Sequence, residues 1–224
     1  MNEFPYAIVG FDLDGTFLDT SMDLMAAVNH ALASAGRPPL TVEQVKPMIG
    51  GGAKHMLSQG MAATGGCEPA ELDRLHALLL SYYEVNISAH TQPYPGAMAA
   101  IDAFDTMGVK VAIVTNKLEG LAVRLLSELD LLGRFVTVIG GDTMGPGRAK
   151  PAADPIIEMI ARCGGGRTAF VGDSMFDIQA AKNAGVANVA CSFGFLMQPV
   201  QELEADAVID HYDELIPTLR RIAS

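Results

Sequence analysis

Cysteine is scarce in this sequence, and long apolar runs are absent from it. Its three cysteines, Cys67, Cys163 and Cys191, stand far apart, which excludes a close-spaced metal motif and a disulfide framework and predicts reduced thiols. A membrane-spanning helix needs about 20 consecutive apolar residues, and no stretch approaches that length. The N-terminus also lacks the basic region of a signal peptide. We therefore predict no membrane partner and a cytoplasmic location.

Basic residues are few as well. Lys and Arg number 15 against 26 Asp and Glu, for a formal net charge of -11. Binding to nucleic acid requires clustered Lys and Arg that neutralise phosphates, so we predict no nucleic-acid partner. A small anionic substrate stays compatible, since a metal or a local cation can bind it inside an acidic protein. No apolar stripe stands out from the core pattern, so a monomer and a homodimer both stay open.

Short apolar runs alternate with helical patterns along most of the chain. The predicted strands cover residues 6–11, 109–114, 135–139, 168–171 and 186–190, with 207–209 as an edge strand before a terminal helix. The predicted helices between them cover residues 96–107, 118–129, 154–163 and 176–184. Continuous apolar runs fit strands that are buried on both faces. The alternation predicts an α/β fold with a doubly wound, Rossmann-like parallel sheet.

Residues 20–89 interrupt this alternation, because they contain no convincing strand. They predict helices at residues 22–35, 41–48, 53–63 and 69–87. Residues 90–96 hold two prolines and a glycine and are typical of a return linker. We therefore expect an α/β core of residues 1–18 and 92–224 and a small helical cap of residues 19–91. Two crossings at one place form a hinge, so the cap can act as a lid.

Carboxylates follow two of the predicted strands, at the sheet edge where open α/β sheets bind ligands. Asp12 and Asp14 leave the first strand on the same side and repel each other. A Mg²⁺ ion with oxygen ligands relieves that repulsion and recruits phosphate oxygens. Asp173 follows the fourth strand, and Asp177 stands four residues later, so both can face one cleft. The alternatives are a solvated acidic turn or helix cap for the pair, and a residue that stabilises the helix dipole for Asp177.

Polar and cationic residues follow the other strands. Thr115 and Asn116 end the second strand, where a hydroxyl and the amides of the next helix can bind an anion. The alternative is that either residue is only a helix N-cap. Lys150 precedes a proline that can open a helix, and its ammonium can hold a phosphate oxygen and offset the carboxylates. The alternative for Lys150 is a solvated surface lysine.

One loop of the helical region is a candidate for contact with the substrate. Gly50, Gly51 and Gly52 permit close approach of the backbone, and Lys54 follows them. Lys54 can then bind a carboxylate or a second phosphate of the substrate. The alternative is a turn between helices that leaves Lys54 in solvent.

Four segments resemble, in order, the signature motifs of the haloacid dehalogenase superfamily. They are Asp12-Leu13-Asp14-Gly15-Thr16, Thr115-Asn116, Lys150-Pro151 and Gly172-Asp173-Ser174 followed by Asp177. The helical insertion resembles the cap of the phosphoglycolate phosphatase-like branch. The resemblance implies a Mg²⁺-dependent phosphatase that hydrolyses a small phosphorylated metabolite similar to phosphoglycolate.

The resemblance also implies a role for each motif residue. Asp12 attacks phosphorus to form an aspartyl-phosphate, while Asp14 protonates the leaving group and then deprotonates the water. Mg²⁺ is held by the Asp12 carboxylate, the Asp14 backbone carbonyl and Asp173, with Asp177 in the second shell. Phosphoryl oxygens are bound by Thr115, the amide of Asn116 and Lys150. Dehalogenases and phosphonate-cleaving relatives lack an acid at the place of Asp14, so a leaving group with oxygen is favoured.

Three other functions stay open at this point. A phosphomutase of the beta-phosphoglucomutase type shares Asp12, Asp14 and the cap, although Thr16 favours a phosphatase, because mutases more often have Val there. A phospho-accepting signalling module of the receiver type also uses acids, a Thr and a Lys. Its phosphorylated Asp lies on a later strand and it lacks such a cap, which disfavours it. A non-catalytic interaction protein is disfavoured by the intact acidic set.

Overall fold

The computed structural model describes residues 4–223, and these form a parallel sheet flanked by helices. The strands are β1 (Ile8–Phe11), β2 (Leu18–Asp19), β3 (Gln92–Pro93), β4 (Lys110–Val114), β5 (Val138–Ile139), β6 (Thr168–Gly172), β7 (Ala187–Cys191) and β8 (Ala207–Ile209). The helices are α1 (Ser21–Ser34), α2 (Val42–Val45), α3 (Ala53–Ala63), α4 (Pro69–Val85), α5 (Ala97–Thr106), α6 (Glu119–Glu128), α7 (Asp154–Arg162), α8 (Met175–Asn183) and α9 (Leu215–Ile222). In the described residues the main sheet has the order β5-β4-β1-β6-β7-β8, with all pairs parallel. The predicted doubly wound α/β fold is confirmed.

Strand β1 lies in the middle of the sheet, where both of its faces are covered. Ile8 packs in an apolar cluster with α7 and α8, whereas Val9 and Phe11 pack in a second cluster with α5 and α6. Alternate residues of a strand point to opposite faces, which explains why the whole run is apolar. A Cβ atom on Gly10 would lie 2.5 Å from the sulfur of Met159, so the absence of a side chain there lets α7 pack closely.

Two predicted elements are shorter in the structure than in the sequence pattern. Of residues 135–139, only Val138–Ile139 forms a strand, because β5 is at the sheet edge and Val136 faces solvent. The predicted helix at residues 41–48 is the short α2 followed by a 3₁₀ turn, Lys46–Met48. Pro47 lies in that turn and has no N–H with which to continue the α-helical hydrogen bonds.

The two chain crossings between the sheet and the helical region form an antiparallel ribbon, which the sequence did not predict. Leu18 pairs with Pro93 and Asp19 pairs with Gln92. The buried carboxylate of Asp23, in the first turn of α1, accepts hydrogen bonds of 3.0–3.1 Å from the backbone N–H groups of residues 90 and 91. The predicted limits of the cap fall inside this ribbon and stay a prediction. Residues 1–3 and 224 of the predicted core lie outside the described residues.

Helices α1 to α4 follow one another between β2 and β3 and pack on each other. Helix α1 buries Leu24, Ala27, Val28, Ala31 and Leu32 in a core shared with α3 and α4. No helix within residues 4–223 is both long and apolar enough to cross a membrane. The three cysteines are free thiols, buried at residues 163 and 191 and half-buried at residue 67.

Candidate active site

The carboxyl ends of β4, β1 and β6 bring three predicted site residues side by side. Thr115, Asp12 and Asp173 each follow one of these neighbouring strands. Chain connections leave β1 toward one sheet edge and β6 toward the other, and open α/β sheets bind ligands at such a reversal. A cavity of about 320 Å³ lies there, between the strand ends and helices α3 and α4.

Asp12, Asp173 and Asp177 form a buried cluster at the floor of this site. Each offers a carboxylate oxygen, and these oxygens lie within 4.8 Å of one another. Burial raises the pKa of Asp12 to about 7. The charge of Lys150 lowers this pKa and the charge of Asp177 raises it, but burial has the largest effect. Burial, followed by the charges of Asp177 and Asp12, raises the pKa of Asp173 well above its ordinary value. Three crowded oxygen donors of this kind suit a hard divalent cation.

Lys150 is the cation at the centre of the cluster. Its Nζ donates hydrogen bonds to Asp12 Oδ1 at 2.6 Å, to Asp177 Oδ1 at 2.5 Å and to the carbonyl oxygen of Val114 at 2.8 Å. Burial alone would lower the pKa of Lys150, but the charges of Asp12 and Asp177 more than offset this and raise it. The alternative that Lys150 is a solvated surface lysine is therefore wrong. The following proline does not open a helix, because α7 begins only at Asp154.

Neutral donors orient the other two carboxylates of the cluster. Asp173 accepts hydrogen bonds from the Thr16 hydroxyl at 2.8 Å and from the Phe195 N–H at 2.6 Å. Asp177 accepts from the backbone N–H of Ser174 at 3.0 Å and from its hydroxyl at 2.5 Å, while its other oxygen binds Lys150. Asp177 therefore caps α8 and also fixes the lysine.

Asp14 is bound by a second lysine, which the sequence analysis did not single out. Lys117 Nζ donates to Asp14 Oδ1 at 2.7 Å and Oδ2 at 2.8 Å, and the Thr20 hydroxyl donates to Oδ1 at 2.7 Å. Burial alone would lower the pKa of Lys117, but the charge of Asp14 outweighs it and the pKa is raised. A signal for Lys117 was present in the sequence, because it stands two residues after Thr115 at a strand end.

Thr115 and Asn116 do not cap the next helix, because α6 begins only at Glu119. Thr115 is buried against the cavity, and its hydroxyl oxygen accepts the N–H of Lys117 at 3.2 Å. The first amide of α6 is already bound to the carboxylate of Asp142 at 2.8 Å. If the predicted anion site exists, its donors therefore lie in the segment before α6 and do not include the first amide of the helix.

The side chain of Asn116 joins the helical region to the sheet. Its Nδ2 donates to the carbonyl oxygen of Gly50 at 2.9 Å and to that of Lys150 at 3.1 Å. The Gly50-Gly51-Gly52 loop thus lines the cavity, as does Lys54. Lys54 lines the cavity with a side chain that is 55% exposed and pairs with Asp73 at 2.5 Å, so it is not free in solvent.

Comparison with known proteins agrees with this site. A family model described as haloacid dehalogenase-like hydrolase matches residues 9–191. A phosphoglycolate phosphatase of Agrobacterium fabrum is 39% identical over 218 residues, which cover 96% of this chain and 92% of that protein. One of Caulobacter vibrioides is 38% identical and covers 92% of this chain and 87% of that protein. The solved structure of a predicted phosphoglycolate phosphatase from Haemophilus somnus has a TM-score of 0.87 at 25% identity, covering 96% and 98% of the two chains.

The chain therefore belongs to the haloacid dehalogenase-like hydrolase family, as its motifs predicted. Its similarity to the phosphoglycolate phosphatase-like branch is confirmed by the same relatives. Within the family it is a phosphatase, a hydrolase of phosphoric monoesters. Neither the receiver-like module nor the non-catalytic interaction protein fits this assignment.

Proposed function

We propose that the protein is a Mg²⁺-dependent phosphatase that hydrolyses a small, phosphoglycolate-like metabolite through an aspartyl-phosphate on Asp12. The observation that carries the proposal is the buried Asp12 carboxylate at the cavity floor, bound to Lys150 and crowded by two further carboxylates. Relatives named phosphoglycolate phosphatases, over 92% or more of this chain, support the substrate. A cytoplasmic location and assembly as a monomer or homodimer stay predictions.

The residues present fit a Mg²⁺ ion. Three buried carboxylates lie together and Lys150 pairs with two of them, so within the described residues the cluster holds more carboxylates than lysines paired with them. Asp12, Asp173 and the backbone carbonyl of Asp14 would hold the ion. Asp177 would stand behind them, because both of its oxygens already bind Lys150 and Ser174. When bound, Mg²⁺ supplies the positive charge that offsets the phosphoryl oxygens.

The proposed mechanism gives a role to each of these residues. Asp12 attacks phosphorus, and the bond between phosphorus and the leaving oxygen breaks as Asp14 gives that oxygen a proton. Asp14 then takes a proton from the water that hydrolyses the aspartyl-phosphate, which returns Asp12. Phosphoryl oxygens are held by Thr115, the amide of Asn116 and Lys150. Lys117 and Thr20 hold the carboxylate of Asp14 in place.

Phosphate release from a panel of small esters, with Mg²⁺ and with a chelator, tests this proposal. The panel contains phosphoglycolate, sugar phosphates and nucleotides. We expect release that requires Mg²⁺ and is fastest with phosphoglycolate. Interconversion of sugar phosphates without net release would instead support the phosphomutase, and no turnover of any ester would contradict both.

Lys54 is proposed to contact the part of the substrate that leaves, since it lines the cavity from the cap side. We expect Lys54→Ala to change the preference among esters more than the rate on a generic aryl phosphate. The measurement is kcat/KM for each ester. Equal losses on every substrate would remove Lys54 from the substrate site.

A further inference from the structure

Two polar groups meet at the cap side of the cavity without a full set of partners. Tyr83 on α4 and Lys117 after β4 both line the cavity, and Lys117 Nζ lies 4.9 Å from the centre of the Tyr83 ring. The Tyr83 hydroxyl is buried and has no hydrogen-bond partner among residues 4–223. Lys117 has three N–H donors, of which two point to Asp14. The hydroxyl and the ammonium thus lie next to each other at the cavity wall, and no hydrogen bond of normal geometry satisfies the hydroxyl within residues 4–223.

A buried hydroxyl without a partner costs stability, so it calls for an explanation. Burial also raises the pKa of Tyr83 to about 12, so the hydroxyl stays protonated and can donate. A ligand that accepts a hydrogen bond would remove the cost. An anionic acceptor would in addition gain from the positive charge of Lys117.

Lys117 and Tyr83 lie beside Asp14, the residue that is proposed to protonate the leaving oxygen. Lys117 lies within 2.8 Å of both oxygens of Asp14, which the proposed mechanism places at that oxygen. Atoms bonded to the leaving oxygen therefore lie close to Lys117 and Tyr83. Much of the remaining wall is apolar and offers no side-chain hydrogen bond. It includes Leu24, Ile49, Leu79, Leu80 and Leu121.

We propose that Tyr83 and Lys117 bind a carboxylate of the leaving group and so select phosphate esters whose alcohol carries one next to the ester carbon. This inference rests on the proposed function and deepens it. Lys54 is a weaker candidate for binding that carboxylate, because its ammonium is already paired with Asp73 and its side chain is largely exposed. Lys117 then has two roles, because the ammonium that binds the substrate carboxylate also positions Asp14.

The test compares 2-phosphoglycolate with ethyl phosphate, which has the same chain length but no carboxylate. In Tyr83→Phe only the hydroxyl is lost, and we expect the ratio of kcat/KM for phosphoglycolate to that for ethyl phosphate to fall about tenfold or more. Glycolate, the released product, should also inhibit this variant at a correspondingly higher concentration. The matched control is Tyr82→Phe, because Tyr82 stacks on His30 and does not line the cavity. Its ratio should stay within about twofold of wild type.

Failure of the inference and failure of the proposed function give different results. Turnover of both esters, with a ratio and a glycolate inhibition unchanged in Tyr83→Phe, would overturn the inference alone. Absence of Mg²⁺-dependent phosphate release from either ester by the wild type would overturn the proposed function, and the inference with it.

Discussion

At the scale of single residues, the buried carboxylates of the site differ in whether they are paired with a lysine. Lys150 binds Asp12 and Asp177, while Asp173 accepts hydrogen bonds, among residues 4–223, from the neutral donors of Thr16 and Phe195. Each charge there has been removed from water, which costs several kcal/mol per ion unless a partner compensates it. Lys150 therefore stabilises the buried cluster, in addition to its proposed role as a phosphate ligand.

Replacement of this lysine should destabilise the fold strongly. In Lys150→Met the carboxylates of Asp12 and Asp177 lose their buried partner, and we expect the free energy of unfolding to fall by about 3–5 kcal/mol. Urea denaturation measures it. Added Mg²⁺ should stabilise the variant more than wild type, because the ion then replaces the lost cation. Lys46→Met, outside the site, is the control, and equal stability of the two variants would contradict the account.

The effect of pH follows from Asp12. Folding raises its pKa from 3.8 to about 7, mainly through burial, so the folded protein binds more protons than the unfolded chain between those pH values. The contribution of Asp12 to the stability of the metal-free protein should therefore fall as pH rises from about 4 to about 7 and then level off. Mg²⁺ needs the ionised carboxylate, so the gain in Tm on adding Mg²⁺ should grow across the same range.

Thermal unfolding in chelator and in Mg²⁺, at several pH values, measures this gain. Asp12→Asn removes one of the two proposed metal ligands whose pKa is raised, Asp12 and Asp173, so its gain in Tm should depend less on pH than that of wild type. The same gain in Tm at acidic and at neutral pH in the wild type would count against a carboxylate metal site.

Strand ends made several of the candidate site residues predictable, whereas Tyr83 was out of reach of sequence reasoning. Asp12 and Asp173 stand where an apolar run stops, and Lys150 precedes a proline in the loop after residues 135–139, so their chemistry is visible in the pattern. Tyr83 stands within an apolar helical pattern and has the sequence context of a core residue. Only the packing of α4 over the strand ends places its hydroxyl in the cavity.

At the scale of elements, the loop between α2 and α3 joins the cap to the sheet. Gly52 has φ +89°, a conformation that L side chains rarely adopt, and Gly50 accepts the hydrogen bond from Asn116. In Gly52→Ala the loop should shift, because alanine rarely adopts this φ, while the added Cβ would only contact the Asn116 carbonyl oxygen at 3.4 Å. We expect a higher KM for phosphoglycolate, measured by initial rates, and a loss of about 1 kcal/mol in stability.

Gly66 provides the matched control for this loop. Its φ is +78° and no atom lies within 4 Å of a Cβ added there, so Gly66→Ala has a similar backbone cost outside the cavity. Its KM should equal that of wild type. A similar rise of KM in both variants would mean that the effect comes from stability and not from the loop.

Local patterns predicted most helices and strands, and they failed where long-range pairing decides. The antiparallel ribbon of β2 and β3 has two residues per strand, too few for an alternating pattern, and it forms because the two crossings return to one place. The helix predicted at residues 41–48 ended early at Pro47, for a local reason that was visible in the sequence.

At the scale of the whole molecule, the sheet order and the helices between β2 and β3 together form the candidate active site. The sheet order places the acidic cluster at the reversal between β1 and β6, and the helices between β2 and β3 close the cavity above it. Lys150 and Lys117 supply local positive charge there in an acidic chain, and the proposed Mg²⁺ would add to it for binding the proposed phosphate ester. The central claim is that Asp12 is the nucleophile of this site.

The most direct test of that claim is the rate of phosphate release from phosphoglycolate, in Mg²⁺, by Asp12→Asn. The change keeps the shape of the side chain and removes its nucleophilic oxygen, so we expect a loss of about a thousandfold or more with an unchanged circular dichroism spectrum. Asp105→Asn, at an exposed site on α5, should keep the wild-type rate. Retention of more than about a tenth of the rate by Asp12→Asn would contradict the account.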